Sequence, residues 1–182
     1  MIAKVLNAVA YQAVWLASVA GASRGLAWAG PLAAALFATG VLASRGQRRA
    51  DLRLLPYALL IGFAADSAWI ALGWLDYGAA WPSASFAPAW ILGLWISLAL
   101  TLNHSMAVFK RRLALASALG AVGGPLAYWG AAQAGAVRIV ASPTVVLAGL
   151  CIAWAVVFPL LAWLADRGSA AVAAAPARGV AP

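Results

Sequence analysis

The sequence predicts an all-α, polytopic membrane helix bundle of about six transmembrane helices with both termini in the cytoplasm. Three observations predict it. The 182-residue chain is 66% apolar and 9% charged, with a mean hydropathy of +0.94, whereas soluble domains carry about 25% charged residues. Its apolar residues gather in windows approaching the roughly 20 residues that a span requires. Its basic residues gather in alternate connectors, as the positive-inside rule demands. A soluble core of this size has no room for that much apolar surface, so lipid must solvate most side chains.

Taken in order, the spans fall at about 5–22, 28–43, 54–74, 87–108, 113–133 and 144–164. The first has the flanks of a signal peptide, Lys4 before an apolar run and small residues near Ala20-Gly21-Ala22. Asn7 and Gln12 interrupt that run and no exported domain follows, so it is read as a retained helix. Ser23-Arg24-Gly25 separates it from the second span, which is short. The basic stretch Arg45–Asp51 leads to the third, and Trp81-Pro82-Ser83 marks the next loop. Lys110-Arg111-Arg112 separates the fourth and fifth, and Arg138–Pro143 the fifth and sixth. Residues 1–166 thus form one transmembrane domain, and the Ala/Gly/Pro-rich residues 167–182 read as a disordered cytoplasmic tail.

Lys4, Arg45, Arg48, Arg49, Arg53, Lys110, Arg111, Arg112, Arg167 and Arg178 fall on one side, and Arg24 and Arg138 on the other. That division of the 12 basic residues sets the orientation. Trp28, Trp74, Tyr77, Trp81 and Trp90 flank the opposite ends as an aromatic belt. The net charge of +8 is spent on membrane orientation, so nucleic acid is not an expected partner. Gly30-Pro31-Leu32-Ala33 recurs as Gly124-Pro125-Leu126-Ala127, which suits an inverted repeat of three spans per half, though four residues in an Ala-rich chain carry little weight.

Chemistry is confined to few residues. There is no Glu, one His and one Cys, Cys151, which leaves no disulfide, no cysteine zinc or redox pair and no expected metal site or cofactor. No nucleotide loop or Ser-His-Asp set is present, so the residue set argues against an enzyme more than for one. Asp66 stands about 18 Å along the third span, near the midplane, where an acid costs about 2.5–3.5 kcal/mol and persists only with a partner or a task. It shares a face with Gly62, Trp69 and Gly73, and the small residues there bring another helix close. A proton or ligand site and a packing residue are both open readings. Thr101-Leu102-Asn103-His104-Ser105 is the densest polar run in any span, about 6–8 Å from its cytoplasmic end. His104 reads as a proton relay or headgroup contact, or simply as a helix reaching water. Gln12 lies about 10 Å up the first span. Gly123, Gly124 and Pro125 read as packing residues or a hinge that breaks the fifth span, with Tyr128 beside them.

These features resemble the bacterial domain-of-unknown-function family 2878. The likeness rests on Asn7 with Gln12 and Trp15, Asp66-Ser67, Trp95 leading to Thr101–Ser105, and Gly123-Gly124-Pro125-Leu126-Ala127-Tyr128, and covers roughly residues 5–165. It implies a small inner-membrane protein and brings no catalytic residues. Members are often encoded near fatty-acid-modifying enzymes such as cyclopropane-fatty-acid synthase, which implies a link to membrane-lipid modification. The leading expectation is therefore an accessory or lipid-handling protein with a cytoplasm-facing pocket of Gln12, Asp66, Asn103 and His104. Its partners are membrane lipids and a membrane protein. The alternatives are a small proton-linked transporter, with Asp66 as coupling site, and a structural subunit of a membrane complex.

Overall fold

The computed structural model describes residues 1–44 and 46–174, and Arg45 and Arg178 of the basic tally lie outside them. Six α-helices carry the fold: α1 (Ile2–Ala22), α2 (Ala29–Ala43), α3 (Arg48–Ala71), α4 (Ala89–Leu102), α5 (Leu113–Gln133) and α6 (Pro143–Ala174). A 3-10 turn, Ala107–Arg111, joins α4 to α5. Four helices, α1, α3, α5 and α6, are long and apolar enough to cross a membrane. The bundle turns its apolar residues outward, with Leu60, Val122, Leu126, Ile152 and Val156 all more than half exposed.

The centre of the bundle is α4. Ten of its 14 residues are buried, and it packs against α1, α2, α3 and α6. Its predicted span, 87–108, is cut back at both ends. Pro88 holds extended backbone before the first turn, and Asn103 caps the last. At about 21 Å it is shorter than a 30 Å hydrocarbon core. Protein rather than lipid surrounds it, so its length follows the packing. Around it α1 packs on α2, α3 on α6 and α6 on α5, while α2 meets α3 lightly. Between α5 and α1 the packing is sparse, with Trp15 against Gly130.

Two other boundaries move. The third helix begins at Arg48 rather than 54: Asp51 in its first turn suits the positive end of a helix, and hydropathy does not mark a helix that continues past its apolar window. The sixth runs to Ala174, so Arg167–Ala174, given to the tail by sequence, are helix, and 175–182 lie outside the described residues. Pro125 sits inside a continuous α5, so Gly123-Gly124-Pro125 does not break that helix. The Gly-Pro-Leu-Ala match is also not positional. Gly30 and Pro31 lie in the first turn of α2, where a proline removes no helical bond, whereas Gly124 and Pro125 lie at the middle of α5.

Two short strands were not visible in the sequence: β1 (Leu75–Tyr77) and β2 (Val137–Ile139), paired antiparallel with Tyr77 opposite Val137. Both start from the same device. Gly73 and Gly135 follow the ends of α3 and α5 at φ of 66° and 79°, a backbone region that costs glycine nothing. Trp74 N–H then donates to Trp69 C=O and Gly73 N–H to Ile70 C=O; Ala136 and Gly135 repeat the pattern on Ala131 and Ala132. These Schellman closures aim the two chains at one another. They also aim Tyr77 back into the bundle.

Glycines make room for indoles. A Cβ on Gly62 would overlap the ring of Trp95, and one on Gly124 would overlap the ring of Trp154. The two indoles stack with centroids 5.0 Å apart and planes within 11°. The sequence Gly62–Trp95–Trp154–Gly124 therefore runs through α3, α4, α6 and α5 as one layer. Gly124 serves packing, and Gly123, whose Cβ would meet nothing within 4 Å, faces open space.

Candidate functional site

The buried face of α3 carries Asp51, Leu54, Ala58, Gly62 and Asp66, the three-to-four-residue spacing of one helical stripe. Its two aspartates lie about 22 Å apart along the axis and organise two separate polar centres.

Asp66 is fully buried. Its Oδ1 accepts from Tyr77 Oη at 2.6 Å and from Tyr128 Oη, and its Oδ2 accepts from Trp95 Nε1 at 2.7 Å. Three donors from β1, α5 and α4 thus meet one carboxyl group, and among the described residues no cation pairs with it. A buried acid without hydrogen bonds is costly, and this one has its acceptor capacity used from three directions. Gly62 enables the third bond by letting the Trp95 indole lie flat on α3. Asp66 stands about 8 Å from the end of α3, not at its middle, because the helix starts earlier than its apolar window does.

Asp51 is the second centre, and the sequence reading left it in a connector. It lies in the first turn of α3, where the helix dipole favours an acid. Asn103 Nδ2 donates to Oδ1 at 2.9 Å, and His104 Nε2 lies 3.0 Å from Oδ2. Lys110 Nζ donates to Asn103 Oδ1 at 2.9 Å and to Ser169 Oγ at 2.8 Å, and Ser169 Oγ to Asn103 Oδ1 at 3.1 Å. Next to them Ser105 Oγ donates to Asn7 Oδ1 at 2.6 Å. Burial lowers the pKa of the Lys110 ammonium from its ordinary value, while the charges of Asp166 and Asp51 act the other way. The turn after α4 thereby ties α1, α3 and α6 together. Asn103 and His104 sit at and beyond the end of α4 rather than inside a span.

Gln12 belongs to neither centre. It lines a groove on the sparsely packed side of the bundle, between α1 and α5. The wider chamber, about 420 Å³, is bounded by Tyr11, Gln12, Met106, Gly123 and Phe158 among others. It adjoins a slot of about 60 Å³ bounded by Trp90, Trp95, Tyr128 and Val137. Tyr11, Trp15, Leu98, Ala127 and Trp154 line both. The predicted single pocket of Gln12, Asp66, Asn103 and His104 is therefore three places, separated by the length of α3 and the thickness of α4. Tyr128, also predicted, does join Asp66. Trp95 and Tyr128 face the slot and hold Asp66 behind it, so the carboxyl group fixes the groove's aromatic wall without lining it.

Sequence reasoning missed Asp51, Tyr77 and the donor role of Trp95. Tyr77 and Trp90, read as interfacial belt residues, are buried, and Trp90 Nε1 donates to Gly78 C=O. The available signal for Asp51 was its place on the Asp66 stripe. Among the described residues no group of three His, Cys, Asp or Glu side chains is placed to hold a metal ion.

An outward-facing apolar surface, four membrane-length helices and polar groups gathered within the bundle define a helical protein suited to a membrane. The chain belongs to the family described as protein of unknown function, DUF2878, whose model matches residues 4–160. No curated protein and no solved structure matches the chain.

Proposed function

We propose that this protein is an integral component of a bacterial inner membrane that holds a membrane lipid by its acyl chain and presents it to a membrane-protein partner acting on lipids. In this reading residues 1–166 form one six-span domain with both termini cytoplasmic. The basic ends of α1, α3, α5 and α6 support that orientation. The observation that carries the lipid reading is the lateral groove. It opens between α1 and α5, which pack on each other only sparsely, and its walls are Trp15, Trp154, Leu98 and Ala127. Its wider chamber alone falls within the usual range of ligand pockets, about 300–1,000 Å³.

Asp66 fits this reading as a positioning residue. Its three bonds keep Trp95 and Tyr128 in place, which suits a fixed wall better than a proton-exchange site. A deletion strain complemented with wild type, Gly123→Ala or Gly123→Trp tests the proposal. Gly123→Trp fills the chamber and is expected to reproduce the deletion's change in extracted lipid acyl composition, whereas Gly123→Ala restores the wild type. Lipid extracts identical in all strains, under membrane stress as well as in ordinary growth, would overturn it.

A further inference from the structure

The groove's lower end is chemically biased, and from that bias we infer that its occupant is an anionic glycerophospholipid, with its phosphate between Lys4 and Arg112. This rests on the lipid reading above and names the lipid class.

Helical phase places Lys4 on the α1 wall of the groove, and Arg112 stands at the foot of the α5 wall. Lys4 precedes Tyr11 by seven residues and Trp15 by eleven, displacements that return to within about 20° of the same face. Arg112 stands immediately before the first turn of α5, about 10 Å below Leu119 and about 16 Å below Gly123 along the axis of that wall. Both cations thus lie beyond the chamber on the two helices that form its walls, and on the basic side of the bundle. Both are exposed, and among the described residues neither forms an ion pair or a side-chain hydrogen bond. Lys110 is already engaged with Asn103 and Ser169, which leaves Lys4 and Arg112 free at the feet of the two walls.

Above them come two polar groups without partners. Tyr11 and Gln12 line the chamber, the first half-buried and the second exposed, and neither side chain makes a hydrogen bond among the described residues. Side chains on a helix lean toward its N-terminus, here toward Lys4. The resulting order along the groove is two cations, then a phenol and an amide, then indole, Ala and Gly. A phospholipid presents the matching order of phosphate, ester carbonyls and acyl chain. Lys4 and Arg112 bind the phosphate, Tyr11 and Gln12 donate to ester oxygens, and the chain lies against Gly123, Ala127 and Trp154. A neutral zwitterionic lipid offers the same chain and esters but adds a cationic headgroup beside Arg112, which weakens the match.

The test is native mass spectrometry of the full chain released from nanodiscs of equal phosphatidylglycerol and phosphatidylcholine. Wild type is expected to retain phosphatidylglycerol over phosphatidylcholine by about tenfold, since each basic side chain near a membrane surface favours anionic lipid several-fold. Lys4→Gln with Arg112→Gln should bring that ratio close to one while total bound lipid persists, and Gln12→Leu should lower total retention with the preference kept. Equal retention by wild type, or a preference unchanged in the double variant, overturns the inference. Gly123→Trp separates the two levels: if it leaves total lipid unchanged, the groove itself is not a lipid site. A dimer that Gly123→Trp or Gly123→Leu dissociates would assign the groove to a second copy of the chain and overturn both.

Discussion

Asp51 and Asp66 occupy one stripe of α3, and both side chains are sealed from water, yet they are built into different surroundings. Asp66 is met by a phenol from β1, a phenol from α5 and an indole from α4, each delivered by an element that starts elsewhere in the chain. Asp51 is met by two neighbours in sequence, Asn103 and His104, from a single turn. His104 is 19% exposed, against 0% for Asp51, so water is within reach of one centre and not of the other. The comparison teaches that a carboxyl group deep in an apolar bundle is satisfied by donors that are themselves largely apolar. Tyr and Trp bring a hydrogen-bond donor on a ring that still packs. At the Asp51 centre, at the partly exposed end of the bundle, Asn, His, Ser and Lys take that role.

The largest way to break this contrast is Asp66→Ala. It leaves two hydroxyls and an indole N–H without an acceptor at a fully buried position, at about 1–3 kcal/mol for each buried group left unpaired. Thermal unfolding in mild detergent is expected to show a large fall in midpoint or a protein that does not accumulate; a variant as stable as wild type would refute the lock. Asp66→Asn keeps one oxygen but sets an amide N–H₂ against Trp95 Nε1–H, and its loss should be intermediate. Gly62→Ala follows. Its Cβ overlaps the Trp95 ring, and overpacking of this kind costs about 1–3 kcal/mol. Gly123→Ala, facing open space, should be nearly silent in the same assay.

Much of this arrangement was legible in the sequence, and the failures share a cause. The lipid-facing residues must be apolar, so all six helices were visible as hydropathy windows. Hydropathy does not mark where a helix continues into the interface, which is why Arg48–Arg53 read as connector and Asp51 was passed over. It also does not separate a polar run inside a helix from one that ends it, so Asn103 and His104 were read as helical although α4 ends at Leu102. Gly62 was correctly put on the Asp66 face. Gly73 was not a packing residue but the left-handed turn that launches β1. Tyr77 and Trp90 look the same in sequence whether they face headgroups or the core. The partners of Asp66 come from strand pairing and from α5, relations that no local spacing encodes.

The Asp51 centre should respond more weakly. Asp51→Asn retains an oxygen for Asn103 and a polar group for His104, and its expected cost is about 1 kcal/mol, the usual worth of a single hydrogen bond. His104→Ala should cost less, since the imidazole is itself partly exposed and its removal admits water to Asp51. A double-mutant cycle on this pair, read by the same unfolding midpoint, sharpens the comparison. A coupling as large as the loss in Asp66→Ala would show that exposure is not what separates the two centres.

The smallest effect belongs to the ion pair that looks strongest by distance. Arg138 Nη2 lies 2.6 Å from Asp76 Oδ2, across the paired strands, but the side chains are 74% and 51% exposed. Both charges are already well solvated, and holding two mobile side chains in one geometry offsets what attraction remains. The register of β1 on β2 is held instead by backbone bonds, by the Schellman turns at Gly73 and Gly135, and by Tyr77 anchored on Asp66. Arg138→Ala is therefore expected to change unfolding by no more than about 0.5 kcal/mol, with little dependence on salt. Tyr77→Phe, which keeps the ring and removes only the hydroxyl bond to Asp66, should cost more than Arg138→Ala despite deleting a neutral group. If the order were reversed, the strand pair would be held from its surface, and Asp66 would be a passenger of the fold instead of its anchor.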